Sequence, residues 1–396
     1  MKILTFSTLY PNAARPGHGI FVQTQLRQLL AQGTVESRVV APVPWFPWSN
    51  PLFGQYAVFS RSPREERRYG IDVIHPRYVS VPKLGMSLAP FLLAAGAYSA
   101  VKRIIRLGYD FEIIDAHYFY PDGVAAAMMG RWLNIPVVIT ARGTDINLLP
   151  QFAFPRRMIL WAARRAAALV TVSTALKTAL VQLGVDANKI SVLRSGVDTR
   201  LFHPVDRASQ RARLGLTGTV LLMVGNLVAL KGHDVVLRAL REFSGACLFI
   251  IGEGREERSL KQLACVLGIQ DRVRFLGAMP QEQLADYYGA ADALVLASSR
   301  EGWPNVLLEA MACGTPVVST RVGGTPEIVA APEAGVLSEE RSAHGILEAL
   351  QRLFRNYPDR ELTRRYAEGF GWAETTAGQL EIFGRILSAG ATDKHR

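Results

Sequence analysis

The amino-acid sequence predicts an α/β protein built from two doubly wound domains. Two observations lead there. Short apolar runs alternate with helical patterns along nearly all of the 396 residues, which argues for parallel sheets covered on both faces. The alternation also starts afresh after a polar stretch at 198–210 that contains Pro204, and the chain is long enough for two domains of ordinary size.

In order along the first half, strands are expected near residues 2–6, 37–41, 72–76, 112–116, 137–140, 168–172 and 189–193. Helical patterns fall at 21–31, 88–107, 123–133 and 174–183. In the second half, strands are expected near 220–224, 247–252, 273–276, 293–297 and 317–319, with helices at 233–243, 257–267, 281–288 and 305–312. A last helix is expected over 371–388. The expected organisation is an N-terminal domain over 1–200, a C-terminal domain over 201–371, and a closing helix and tail over 372–396. Ligands of such sheets bind outside the carboxyl ends of the strands.

About half of the residues are apolar and a fifth charged, as in a folded globular chain. The net charge of +11 predicts attraction to anions, and nucleic acid, an acidic membrane surface and phosphorylated metabolites all qualify. No basic run interleaved with aromatic residues supports nucleic acid. Cys247, Cys265 and Cys313 form no C-x-x-C pair, which fits a reducing, cytoplasmic compartment. With the scattered histidines they build no zinc site, and no Asp-x-Asp motif at a strand end offers to hold a divalent metal. The N-terminal apolar stretch is broken by Thr5, Ser7 and Thr8 and reads as a buried strand rather than a signal peptide. The longest apolar stretch, 86–101, contains Pro90 and is shorter than the ~20 residues a membrane span needs. A buried or interface-lying helix is expected there.

The chemistry concentrates in Ser298-Ser-Arg-Glu-Gly-Trp-Pro-Asn-Val-Leu-Leu-Glu-Ala-Met-Ala-Cys-Gly-Thr-Pro-Val-Val. Pro304 suits the start of a helix and Gly314 its end. The amides from Trp303 through Asn305 to Val306 then form a ready site for a diphosphate. Glu309 sits among apolar neighbours, where a carboxylate is costly unless hydrogen-bonded. A ribose diol offers two donors to such a group. Glu301, ahead of the helix, is the candidate for hydroxyls of a donor sugar.

The two glutamates, in E-G-x-P-N-x-x-x-E-A-M-A-x-G-x-P-V-V, resemble the nucleotide-sugar motif of the family 4 glycosyltransferases. The resemblance extends over nearly the whole chain: Val224-Gly225-Asn226-Leu227 with Lys231-Gly232, Ile251-Gly252-Glu253-Gly254, Gly323-Gly324, Pro326-Glu327-Ile328-Val329, Arg194-Ser195-Gly196-Val197-Asp198, and Trp372. It implies a GT-B fold, two Rossmann-like domains facing across a cleft, with the last helix returning to the N-terminal domain. It also implies a retaining, metal-independent transferase that needs no cofactor and takes a UDP- or GDP-linked sugar. The implied acceptor is a glycan or a lipid-linked molecule, as in exopolysaccharide or envelope glycan synthesis. Nucleotide-sugar 2-epimerases share the fold and are the rival reading; they need no acceptor.

By the same resemblance Lys231 holds the donor diphosphate, a role that suits a mobile point charge, and Gly225, Asn226 and Gly252 line the donor site. One departure matters: many relatives carry Arg where this chain has Asn226, and Arg300 and Arg321 are the candidates to replace that charge. In the N-terminal domain, Gly17 and Gly19 lie in a loop that in the family lines the donor phosphates and acceptor. His117, at a strand end, is expected to hydrogen-bond a sugar hydroxyl. Arg142 stands where the family's H-G-x-D has His. Asp145 has two readings of equal weight, an acceptor contact or a helix cap. No carboxylate pair placed for hydrolysis is evident. Finally, the apolar loop Pro44-Trp-Phe-Pro-Trp, the basic run 61–68, and Lys102, Arg103 and Arg106 form a candidate peripheral patch for an anionic membrane at its cytoplasmic face.

Overall fold

The computed structural model describes residues 1–80 and 85–393. They form two compact units, Met1–Leu193 together with Glu374–Arg396, and Arg194–Ala373.

The first unit carries strands β1 (Lys2–Phe6), β2 (Glu36–Val40), β3 (Val43–Pro44), β4 (Glu65–Arg68), β5 (Ile71–Ile74), β6 (Arg77–Tyr78), β7 (Ile113–His117), β8 (Val137–Ala141), β9 (Ala168–Thr171) and β10 (Ile190–Val192). Eight of them make one sheet in the order β10-β9-β8-β7-β1-β2-β5-β4. Every neighbouring pair is parallel except β4 with β5. All residues of β7 and β8 are buried, as expected of strands covered on both faces. Strands β3 and β6 pair separately and carry the chain beyond the carboxyl ends of β2 and β5. The strand order reverses between β1 and β7, and there the Ser7 hydroxyl donates to the His117 carbonyl at 2.9 Å.

The second unit carries β11 (Thr219–Val224), β12 (Ala246–Ile251), β13 (Val273–Gly277), β14 (Ala293–Leu296), β15 (Val317–Thr320) and β16 (Gly335–Ser338). They form a fully parallel sheet in the order β13-β12-β11-β14-β15-β16. Its order reverses between β11 and β14, the position at which doubly wound sheets bind ligands.

The expected strands are all present, shifted by a residue or two. The structure adds further elements, some of them polar or peripheral. Strand β4 was hidden inside the basic run 61–68; it is an edge strand whose charges face solvent and cross-strand partners, with Arg67 3.7 Å from Asp72. Helices Ala153–Arg165, Ala343–Arg355 and Arg360–Glu368 were also unread. Helix Arg207–Leu214 lies inside the stretch expected as a linker, capped by the Asp206 carboxylate. Residues 194–200 keep company with the second unit, because the Val197 amide donates to the Phe370 carbonyl at 2.9 Å. Helix Trp372–Asp393 leaves the second unit and, from Glu374 onward, belongs to the first.

Helix Gly85–Arg106 is long and apolar enough by composition to cross a bilayer. One of its faces, with Leu93, Ala94, Ala97, Val101 and Ile104, is wholly buried inside the first unit, while Met86, Leu88 and Phe91 near its start are exposed.

Candidate active site

At the reversal point of the second sheet, the segments that follow β11 and β14 meet. Lys231 Nζ donates to Glu301 Oε1 at 2.7 Å, although the two residues are 70 positions apart. The pair is mostly buried, with side-chain exposures of 22% and 10%. The fully buried Ser298 hydroxyl donates to the same carboxylate oxygen at 2.6 Å. Gly225 and Gly252 lie beside this turn, where the Gly225 amide donates to the Ile251 carbonyl at 2.9 Å and a side chain on Gly252 would strike the Gly225 carbonyl. Asn226 occupies the same turn after β11 and brings no charge.

Glu301 leads into helix Asn305–Ala312, whose first turn has no side-chain cap. The backbone amides of Trp303, Asn305 and Val306 have no acceptor among the described residues. Trp303's side chain is spent elsewhere: its indole N–H donates to the Ser195 carbonyl at 2.9 Å. Of this candidate, only the backbone faces the site. One turn on, Glu309 is buried and accepts from the Tyr288 hydroxyl at 2.8 Å and, at a long 3.5 Å, from Gln281. Burial pushes its carboxyl up to about 7, against the pull of Tyr288 and Gln281.

The two arginines proposed to replace the missing charge at Asn226 differ. Arg321 is committed to Glu339 at 2.9 Å on an exposed surface. Arg300, half-buried beside Glu301, makes no ion pair among the described residues.

In the first unit, Gly19 caps helix Ile20–Leu30 with φ of +67° and packs against the Leu9 backbone, while Gly17 stands open. At the ends of β7 and β8 lies a closed circuit of polar side chains. Arg142 donates to His117 Nδ1 and, at 2.8 Å, to Gln25. Gln25 donates to Gln379 at 3.0 Å, and Gln379 donates to Asp115 at 2.9 Å. His117 Nε2 lies 3.2 Å from the same Asp115 oxygen. Charge therefore runs from a donor-only guanidinium to an acceptor-only carboxylate by two routes, and the second route fixes the imidazole tautomer. Burial, reinforced by Arg142 and opposed by Asp115, lowers the His117 pKa and keeps the ring neutral. Arg142 falls to about 10 through burial and stays charged.

The circuit corrects the expectation for His117. With 1% exposure and both ring nitrogens engaged, it has none left for a sugar hydroxyl in this arrangement. Asp145 is resolved toward bracing. It accepts from the amides of Phe119 at 2.7 Å, Gly143 at 2.6 Å and Arg142 at 3.1 Å, and is fully buried. Sequence reasoning missed Ser298, Tyr288, Gln25, Asp115 and Gln379; apart from Ser298 with Glu301 and Asp115 with His117, their partners are distant in the chain. Among the described residues, no group of three or more His, Cys, Asp and Glu is arranged to hold a metal ion.

The circuit predicts that Gln379→Leu destabilises the protein by about 1–3 kcal/mol, because it strands the amide of Gln25 and one bond to Asp115. Urea denaturation measures this, and a midpoint equal to wild type would show that the circuit is not closed in solution.

Comparison with known proteins fits this geometry. Residues 206–370 match the family model described as glycosyl transferases group 1, and residues 55–201 the model for glycosyltransferase family 4. The Bacillus subtilis (strain 168) protein TuaC, named as a teichuronic acid biosynthesis glycosyltransferase, is 31% identical over 365 residues, covering 89% of each chain. A D-inositol 3-phosphate glycosyltransferase of Frankia alni is 34% identical over 315 residues, covering 72% of this chain and 76% of its own. Among solved structures, sucrose-phosphate synthase from Thermosynechococcus elongatus superposes with a TM-score of 0.80 at 20% identity, over 98% of this chain and 99% of its own. Anabaena HepE in complex with UDP superposes with a TM-score of 0.73 at 21% identity, over 97% and 100%. The chain belongs to the family 4 glycosyltransferases and is a GT-B transferase.

Proposed function

We propose that the enzyme moves a hexose-type sugar, with retention, from a UDP- or GDP-linked donor to a glycan or lipid-linked acceptor of exopolysaccharide or envelope glycan synthesis. It works in the cytoplasm, at the inner face of the membrane. The observation that carries this reading is the Lys231–Glu301 pair, formed at the reversal point of the second sheet and just ahead of the uncapped helix Asn305–Ala312. Lys231 and the free helix amides take the diphosphate, where negative charge grows as the glycosidic bond breaks. Glu309 takes the ribose diol and Glu301 the donor sugar. This reading places the diphosphate charge on protein groups rather than on a metal ion or cofactor. The relatives give support: HepE was crystallised with UDP and with UDP-glucose, and TuaC is named for teichuronic acid biosynthesis.

Two predictions test it. Glu309→Ala weakens nucleotide-sugar binding by on the order of 10- to 100-fold through loss of hydrogen bonds to a charged group, whereas Lys231→Ala also lowers turnover, by on the order of 100-fold. Calorimetry with UDP- and GDP-sugars and steady-state rates provide the readouts; unchanged affinity and rate in both variants would overturn the assignment.

The second prediction concerns pH. In the free protein Glu309 sits at about 7, so acid favours the protonated form, whereas a diol needs the ionised acceptor. Binding therefore releases a proton below that value. Affinity for a nucleotide sugar, whose diphosphate does not titrate there, should fall by up to about tenfold per pH unit below 7 and level off above 8. Glu309→Gln should flatten the profile; a profile unchanged by that substitution would assign the titration to another group.

A further inference from the structure

The carboxyl end of the first unit has a surface that donor binding does not explain. Beyond the β3–β6 pair, Trp45, Trp48, Leu52 and Phe53 are 54%, 58%, 90% and 43% exposed. Trp48 stacks on Phe53 at 5.4 Å, so the loop presents its rings as a packed group rather than as loose side chains. The Trp45 amide donates to the Tyr78 carbonyl at 2.7 Å. Tyr78 in turn lies under helix Gly85–Arg106, where a side chain on Gly96 would meet its Cβ at 2.7 Å. The exposed Met86, Leu88 and Phe91 precede that contact along the helix, so they lie further out at the same end. The Phe91 ring meets that of exposed Phe154 at 6.3 Å, which brings in the start of helix Ala153–Arg165. Contacts thus connect all three apolar segments.

The charge around them is one-sided. Residues 41–64, 75–98 and 146–165 contain no Asp or Glu. Arg61 and Arg64 follow the aromatic loop, Arg156 and Arg157 follow Phe154, and all four are exposed. Lys102, Arg103 and Arg106 stand apart from Phe91, with Arg103 beside Glu65, the residue after Arg64. They lie on the order of 17 Å or more along the helix axis from Phe91, and Arg103 is paired with Glu65 at 2.7 Å.

We propose that this apolar, arginine-bearing end of the first unit docks on an anionic bilayer surface. Exposed tryptophans favour the boundary between headgroups and acyl chains, and arginines beside them reach the lipid phosphates. A second copy of the chain fits poorly, because a two-fold contact would set arginine against arginine across stretches that hold few carboxylates to answer them. The surface lies at the same sheet edge as Gly19 and Arg142. Docking therefore holds that edge toward a lipid-linked acceptor, a step that rests on the function proposed above.

The test is cosedimentation of the full chain with vesicles of phosphatidylglycerol and phosphatidylcholine in equal parts, and with phosphatidylcholine alone, at low salt. Binding is expected to the anionic vesicles only, with a blue shift of tryptophan emission. Trp48→Ser with Leu52→Ser should lower partitioning by on the order of tenfold or more, and Arg156→Glu with Arg157→Glu by a similar factor. Lys102→Glu with Arg106→Glu should lower it less than the Arg156/Arg157 pair, because these residues lie on the order of 17 Å or more along the helix from Phe91. No binding of the wild type to anionic vesicles overturns the inference, as does loss of binding in the Lys102/Arg106 variant alone. Concentration-dependent dimers abolished by Leu52→Ser, in place of vesicle binding, would overturn it in favour of a second copy. Donor affinity of each variant, measured by calorimetry, separates the two proposals: a chain that binds a nucleotide sugar but no vesicle refutes the docking alone.

Discussion

At the carboxyl edge of the first sheet, the arrangement depends on keeping the Arg142 guanidinium joined to the Asp115 carboxylate. A cation at a strand end in a parallel sheet has little water to solvate it, and leaving it unpaired would cost several kcal/mol. The chain does not pair the two groups directly. It bridges them through His117 on one side and through Gln25 and Gln379 on the other. Every bridging bond has an unambiguous donor, which makes the circuit directional. It ties together β7, the end of β8, helix Ile20–Leu30 and the returning helix Trp372–Asp393. The last helix is thereby fastened to the first unit by a polar contact as well as by Ile382 and Phe383 in the core.

The second unit handles its buried charges differently. Lys231 and Glu301 neutralise each other, and Glu309 is held by a phenol instead of a cation. Glu309 is incompletely satisfied: a carboxylate with capacity for several hydrogen bonds receives one good one from Tyr288. The remaining capacity, the elevated pKa and the uncapped amides nearby all point to a ligand rich in hydroxyls and negative charge. Asn226 subtracts a cation from this arrangement. Arg321 is engaged with Glu339, whereas half-buried Arg300 makes no ion pair among the described residues.

Sequence patterns revealed the sheets because a strand buried on both faces is largely apolar, and β12 and β14 are apolar throughout. They revealed the Glu301–Glu309 segment because proline, glycine and two carboxylates at fixed spacing leave few structural explanations. They could not show that Gln25 meets Gln379, 354 residues away, since a lone glutamine on a helix carries no local signal. Strand β4 escaped because its register is written in charges rather than in apolar alternation. The contacts of His117 with Arg142 and Asp115 were not legible, because strand-end position says nothing about which neighbours occupy its two nitrogens. The basic cluster at 102–106 lies far from Phe91 on the same helix, because each residue of separation along a helix adds about 1.5 Å.

What makes the Lys231–Glu301 pair more than a chance ion pair is the backbone beneath it. Gly232, at φ of +69°, lies so close to the end of β14 that a Cβ would sit 2.1 Å from the Ala297 carbonyl. Gly323, at φ of +53°, presses on the Glu301 backbone, where a Cβ would approach its carbonyl to 1.9 Å. Backbone packed directly on backbone leaves no side chain to yield, so the positions of the ammonium and the carboxylate are set by main-chain contacts on both sides. Electrostatic stabilisation of a leaving diphosphate depends on charges that need not reorganise as the reaction proceeds. Gly232 and Gly323 therefore brace the pair without side chains of their own. They hold the charged pair at the one point of the sheet where the strand order opens a site.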